Sequence, residues 1–382
     1  MSRPERSRTL ELCSRDFLLR ARSMGDPLAD EAVAALARLG RLKAGLDAIA
    51  ALRGVAADAG LPADARRAAQ AFLAHAFTPP AWFDHRRAMA ARQLPLKSAL
   101  TWASFSVLPG FMRVISSPYP AAVTRSTGYI EHAGWRRNVE TARFFTILFA
   151  HDRLTPGSDA HAAVVRVRLV HAGVRHWVRA RGQWPETWGE PVAQLDLLAD
   201  RTAFVCETIA VLRHMGVYLR RDEQADYHHL WQGVGYYLGI PEDMLSSDIE
   251  QEQAVFDAIE RFREPPNADS FALRDALLNA MHGKPLPRDG MAHFTRLVMG
   301  SFIADRLRLP PLRWRWHALH ALIYVVNQVK SRLVSLPGFR ALNCALGYRL
   351  LDFGLDLMLK NKPAKFSIPA PSVMVEYLRR ST

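Results

Sequence analysis

Apolar positions along this chain recur three and four residues apart, and the two-residue alternation of a half-buried strand is nearly absent. That pattern predicts an all-α protein. Asp26 and Pro27 supply an N-cap and a proline at the first helical position, and Leu28, Ala32, Val33, Leu36 and Ala37 then share one face up to Gly40. Further helices are expected over residues 42–53, 62–77, 84–93, 129–152, 194–215, 222–238, 248–263 and 269–281. Another, after a loop at 152–161, carries His171 and ends before the Gly-, Pro- and Trp-rich loop 181–191. From His293 onward, apolar runs alternate with basic residues. The most apolar run, SALTWASFSVLPGFM (98–112), is expected to break at Pro109 and Gly110 into a buried or interfacial hairpin. It falls short of the roughly 18 uninterrupted apolar residues of a spanning helix.

The stretch RVRLVHAGVRHWV, residues 166–178, puts Val167, His171, Val174 and Val178 on one helical face, with Arg168, Arg175 and Arg179 along its edge. An imidazole on an apolar stripe beside guanidinium groups fits two readings: a satisfied core histidine, or a ligand to a buried anionic cofactor. On the preceding helix Arg137 and Thr141 are four apart and share a face. Gln194 and Asp196 are placed to anchor loop or helix ends. His228 and His229 lie beside Asp226, but adjacent histidines on a helix diverge by about 100°, so a surface role is expected there. His317 and His320 share a face without carboxylates nearby.

A chain of 382 residues, 49% hydrophobic and 23% charged, has the composition of a globular protein. No repeat, low-complexity tract or clear linker divides it. The expected organisation is an N-terminal tail over 1–25, a catalytic domain over 26–300, and a helical extension over 301–382 packed on the same domain. The net charge of +13 comes from arginines spread along the whole chain, with no recognisable nucleic-acid module. Nucleic acid is therefore not an expected partner, and the surplus suits an anionic cofactor or membrane surface. Cys13, Cys206 and Cys344 form no disulfide framework or zinc spacing. SRDFLLR (14–20) has one of the two arginines of a twin-arginine signal and no apolar run after it, so a cytoplasmic location is expected. Trp314 and Trp316, with Arg313 and Arg315, suit either a peripheral membrane interface or packing on the main domain.

Five motifs, STGYI (126–130), RNVET (137–141), RVRLVHAGVRH (166–176), the W…GEPVAQLDL stretch (184–197) and LWQGVGYYLGIP (230–241), stand in one order. In that order and spacing the chain resembles the latex-clearing-protein (rubber oxygenase) and MpaB-type oxygenase family. The DPLADEAVAAL opening (26–36) is similar to the start of the latex-clearing subgroup, and the likeness runs from about residue 26 to about 250. The resemblance implies a globin-like helical domain that encloses one haem b, uses O2 and oxidatively cleaves carbon–carbon double bonds in a lipophilic, isoprenoid-like substrate. By the same resemblance His171 matches the family's proximal iron ligand, and Arg168, Arg175 and His176 match its surroundings. Arg137 and Thr141 match the pair on the other helix that lines the haem pocket. Glu140 stands where latex-clearing proteins carry a lysine that caps the iron on the distal side, and serves as a candidate substitute base or as an arginine-paired helix residue. The family's distal glutamate counts back to Ala121, which has no base to offer. A haem- or lipid-binding protein without turnover is the rival expectation.

Overall fold

A computed structural model describes residues 3–40, 62–150, 154–282, 284 and 286–359. Among the described residues there are helices and no strands. The chain runs through α1 (Arg3–Leu12), α2 (Arg15–Arg22), α3 (Pro27–Arg38) and α4 (Ala63–Phe77). Five short helices follow: α5 (His85–Ala90), α6 (Gln93–Leu96), α7 (Ala99–Phe105), α8 (Val107–Val114) and α9 (Pro118–Ser126). The long central helices are α10 (Tyr129–Leu148), α11 (Asp159–Ala180), α12 (Gln194–His214) and α13 (Arg221–Tyr237). Helices α14 (Ile249–Phe262), α15 (Ala268–Asn279), α16 (Arg288–Arg306), α17 (Trp314–Leu333) and α18 (Pro337–Met358) complete the fold. The helix expected over 42–53 lies outside the described residues.

Local signals start the helices where the sequence placed them. The Asp26 carboxylate accepts the Ala29 amide at the head of α3, with Pro27 as its first residue. Ser158 does the same for α11 by accepting the His161 amide. The apolar run 98–112 departs from expectation. Pro109 is the third residue of α8, where a proline needs no intrahelical amide bond, and the boundary with α7 falls earlier, at Ser106. Gly110 continues the helix and leaves room for the Phe204 ring. Residues 3–22, expected as a tail, fold into α1 and α2 because Leu12, Phe17, Leu18 and Ala21 are apolar on one side and bury it against the main core.

The site is organised around α12, which is buried along most of its length, polar residues included. A helix buried on all sides must be apolar all round or neutralise what it carries inward. Helix α12 does the second. Its Asp196 pairs with Arg22, its Arg201 with Glu252 of α14, and its Glu207 with Arg113 of α8, which also holds Glu260. Pairs of this kind add little net stability over apolar replacements, but breaking one partner leaves a buried charge stranded. They fix the register of α12 against its neighbours and so fix which of its side chains face the cavity.

His228 and His229 are the clearest correction to the sequence reading. Both are buried. His228 joins Gln232, Ser246 and Glu252 in one hydrogen-bonded cluster. His229 stacks on Phe83 and accepts the Asp84 amide through Nε2, with burial driving its pKa down to about 4. The two rings do diverge, but α13 has packed neighbours on both sides. Among the described residues no cluster of His, Cys, Asp and Glu has the make-up of a metal site.

Candidate active site

Helices α8 to α13 enclose a cavity of about 290 Å³, close to the lower end of the ~300–1,000 Å³ range of small-molecule pockets. Three helices each contribute one stripe at helical spacing. Arg137, Glu140, Thr141 and Phe144 come from α10; Val167, Val170, His171 and Val174 from α11; Asp196, Leu197, Asp200, Arg201 and Phe204 from α12. The i, i+3, i+4 rule that makes each stripe continuous is therefore what gathers the site. Its walls are mainly apolar, with Phe111, Ile130 and Trp231 among them.

Two histidines of α11, ten residues apart, separate the two readings of such a residue. His161 is a satisfied core histidine: its Nδ1 accepts the Gly157 amide and its Nε2 meets the Ala76 carbonyl at 2.6 Å. His171 has no such partners. Its Nδ1 is buried without a hydrogen bond, and the rest of the ring keeps its partial exposure toward the cavity it lines. Burial, then Arg175 and Arg137, lower its pKa to about 4. At neutral pH this is an uncharged imidazole with an available lone pair.

Arg137 and Thr141 face the same cavity and engage each other. The guanidinium donates to Thr141 Oγ1 at 2.6 Å, Thr141 returns a bond to the Arg137 carbonyl, and the Phe111 ring lies under the charge. Glu140 also lines the cavity; its carboxylate is buried and meets Arg136 Nε at 2.9 Å, the arginine-paired arrangement.

Arg168, Arg175 and His176 are not brought to the cavity. Arg168 turns the other way and grips Asp26 with two bonds of 2.5 and 2.8 Å, adds one to His75 Nδ1, and lies over Phe72. Gly239, at φ +89, ends α13 against this pair, and a Cβ there would meet Arg168 Nε at 2.6 Å. Arg175 is spent on Asp30 and on the carbonyls of Pro191 and Val192. These two arginines tie α11 to α3 and to the 181–193 loop, and neither lines the cavity. His176, five residues beyond His171, projects from another face of α11. Gln194 and Asp196 anchor as expected: Gln194 bonds the Gly25 and Gly239 carbonyls, and Asp196 accepts the Ala193 amide at the start of α12.

Asp200 is the site residue that sequence reasoning missed. It sits one turn after Asp196 and faces the cavity. Burial raises its pKa from 3.8 to about 7, assisted by repulsion from Asp196 and opposed by Arg263. Two aspartates one turn apart in the apolar run LDLLAD were the available signal. A carboxyl raised in the folded state supplies full stability below its unfolded pKa and loses it as pH climbs through about 7. Asp200→Asn is accordingly expected to raise unfolding stability above the parent at pH 8 and to leave it unchanged at pH 4. Each tenfold change in a protonation equilibrium is worth ~1.4 kcal/mol, so the gain at pH 8, read by urea denaturation, is expected to be about 2–4 kcal/mol.

With the geometry in place, three comparisons bear on the chain. Residues 102–328, more than half of it, match the family described as ER-bound oxygenase mpaB/B'/rubber oxygenase, catalytic domain. The chain is 24% identical over 320 residues to a rubber oxygenase of Streptomyces sp. (strain K30), covering 81% of this chain and 76% of that protein. Its fold is similar to that of a latex clearing protein solved in the closed state, with TM-score 0.71, 21% identity, and coverage of 91% and 95% of the two chains. The match runs past residue 300, across α16 and into α17. The chain belongs to the mpaB and rubber oxygenase catalytic-domain family.

Proposed function

We propose that this protein is a haem b-dependent oxygenase that uses O2 on a lipophilic, isoprenoid-like unsaturated substrate, with His171 as the residue that would hold the iron. The observation that carries the reading is the unpartnered, neutral His171 imidazole on the wall of an apolar cavity. A structural histidine satisfies its nitrogens, as His161 does on the same helix. Both nitrogens of a ligand histidine are left to the metal and to an outer partner. The residues present fit the group: the His171 imidazole would take the iron, the Arg137 guanidinium would take a propionate, and the apolar walls would take the hydrocarbon of the macrocycle. Arg168 and Arg175 contribute by holding α11 in place through Asp26 and Asp30.

When bound, the haem supplies the O2 activation that no side chain in the cavity can perform. The chain's own residues do the rest. Phe111, Val123, Ile130, Phe144 and Phe204 exclude water and accept a hydrocarbon chain. Arg137, held by Thr141, fixes an anionic group at one side. Asp200, poised near neutral pH, holds or releases a proton at its carboxyl facing the cavity. Glu140, clamped by Arg136, is less suited to that role. The name of the Streptomyces relative, rubber oxygenase, supports an isoprenoid class of substrate.

The test pairs haem titration with an oxygen electrode. One equivalent of haem is expected to bind with a Soret band, and O2 uptake is expected to follow addition of polyprenyl or polyisoprene substrates. A chain that binds no haem, or one that binds it and consumes no O2 with any unsaturated isoprenoid, would overturn the proposal.

A further inference from the structure

Helices α17 and α18 both carry large apolar side chains on their solvent side, and α18 is apolar inward as well, burying Cys344, Leu351 and Leu355. In α17 the buried residues are Asn327, 4% exposed, and Ser331. Asn327 donates to the Met215 carbonyl and accepts from Ser98, while Ser331 accepts the Tyr218 amide. The same helix turns Leu322, Val325, Val329 (58% exposed) and Leu333 outward. In α18, Asn343 donates inward to the Leu96 carbonyl, and Gly347 lies against Leu96 and Ala99. Its outward residues are Phe339, Leu342, Leu346, Phe353 (70% exposed) and Leu357. Both helices thus reach residues 96–101, where Leu100 is itself exposed. An exposed apolar area of this extent marks an interaction surface.

Charge decides the occupant. Residues 306–351 hold eight Lys and Arg and no Asp or Glu. Arg313, Lys330, Arg332 and Arg349 are exposed. The first carboxylates of α18, Asp352 and Asp356, are drawn toward Arg143 of α10. A second copy of the chain docked face to face would oppose these cations with the same cations. A neutral hydrocarbon surface would leave them unmatched. An anionic lipid surface satisfies both the apolar residues and the charge. At 20 and 22 residues the helices are each about 30 Å long, yet among the described residues no helix is long and apolar enough to cross a membrane. Trp314, 86% exposed at the start of α17, suits the headgroup level.

We infer that α17 and α18 form a docking face for an anionic bilayer, on which they lie flat with their outer apolar residues in the headgroup–acyl boundary. The inference is independent of the haem reading. Vesicle flotation tests it, with the full chain and vesicles of phosphatidylcholine alone or with one third phosphatidylglycerol. Co-flotation is expected with the anionic vesicles only. Two double variants, Leu346→Asp with Phe353→Asp and Lys330→Glu with Arg349→Glu, are each expected to weaken binding at least about tenfold. Because these side chains point away from the protein, helical content and thermal midpoint are expected to stay at the parent value, and either variant that meets this control suffices. Absence of flotation, equal binding to neutral vesicles, or a concentration-dependent dimer abolished by the aspartate pair would overturn the inference. The same binding in His171→Ala keeps this result separate from any failure of the haem proposal.

Discussion

His171→Ala is expected to lose stoichiometric haem binding and, with it, O2 uptake, while the helical fold persists. Removing groups that only orient a metal ligand costs ~10–100-fold in affinity or activity, and removing the ligand itself should exceed the upper figure. The loss is read from the Soret absorbance at one equivalent of haem and from the oxygen electrode. The fold is expected to survive because the imidazole gives the protein no hydrogen bond to lose at Nδ1. The substitution should also change acid sensitivity in a defined direction. With its pKa lowered from 6.5 to about 4 by burial, Arg175 and Arg137, His171 takes up a proton in the unfolded chain before the folded one. The parent therefore loses stability as pH falls from about 6.5 toward 4, by up to about 3 kcal/mol, and the alanine variant lacks this loss. A variant that keeps full haem content, or one whose stability falls with acid as the parent's does, would remove His171 from the proposed role.

Arg168→Ala is expected to act on stability instead. It would strand the buried Asp26 carboxylate, which Arg168 holds with two bonds, and would remove the bond to His75 and the stack over Phe72. Loss of one partner from a buried pair costs ~3–5 kcal/mol, so the urea midpoint should fall strongly. Haem affinity of the folded fraction, measured well below that midpoint, is expected to stay within a few-fold of the parent. The family resemblance assigns Arg168 to the surroundings of the iron ligand. A result with unchanged stability and lost haem would restore that assignment and contradict the geometry.

Much of the fold is legible without coordinates because a helix leaves its period in the sequence. The Asp26–Pro27 start of α3, the long helices α10 to α13 and the stripe through His171 all follow from capping and 3.6-residue spacing. Errors arise where a residue's meaning depends on what lies across from it. Pro109 reads as a break, yet it falls in the first turn of α8, where it is tolerated. His228 and His229 read as surface residues, yet α13 is packed on both sides. Residues 3–22, expected within a tail, form two packed helices, since Arg22 and four apolar residues find partners more than 160 positions away or in the main core.

Helical content, the motif order that matches the family, and the stripe that turns His171 inward all follow from the order of amino acids, because they are properties of single helices and of local spacing. The packing of those helices was needed to bring Arg137 and Asp200 to His171 across a cavity while Arg168 and Arg175 are consumed by Asp26 and Asp30. A helical period states which side of a helix is apolar, and it carries no information about a carboxylate 142 residues away. The same limit hid the outward apolar face of α17 and α18, whose pattern alone did not say which side would find protein and which would find none.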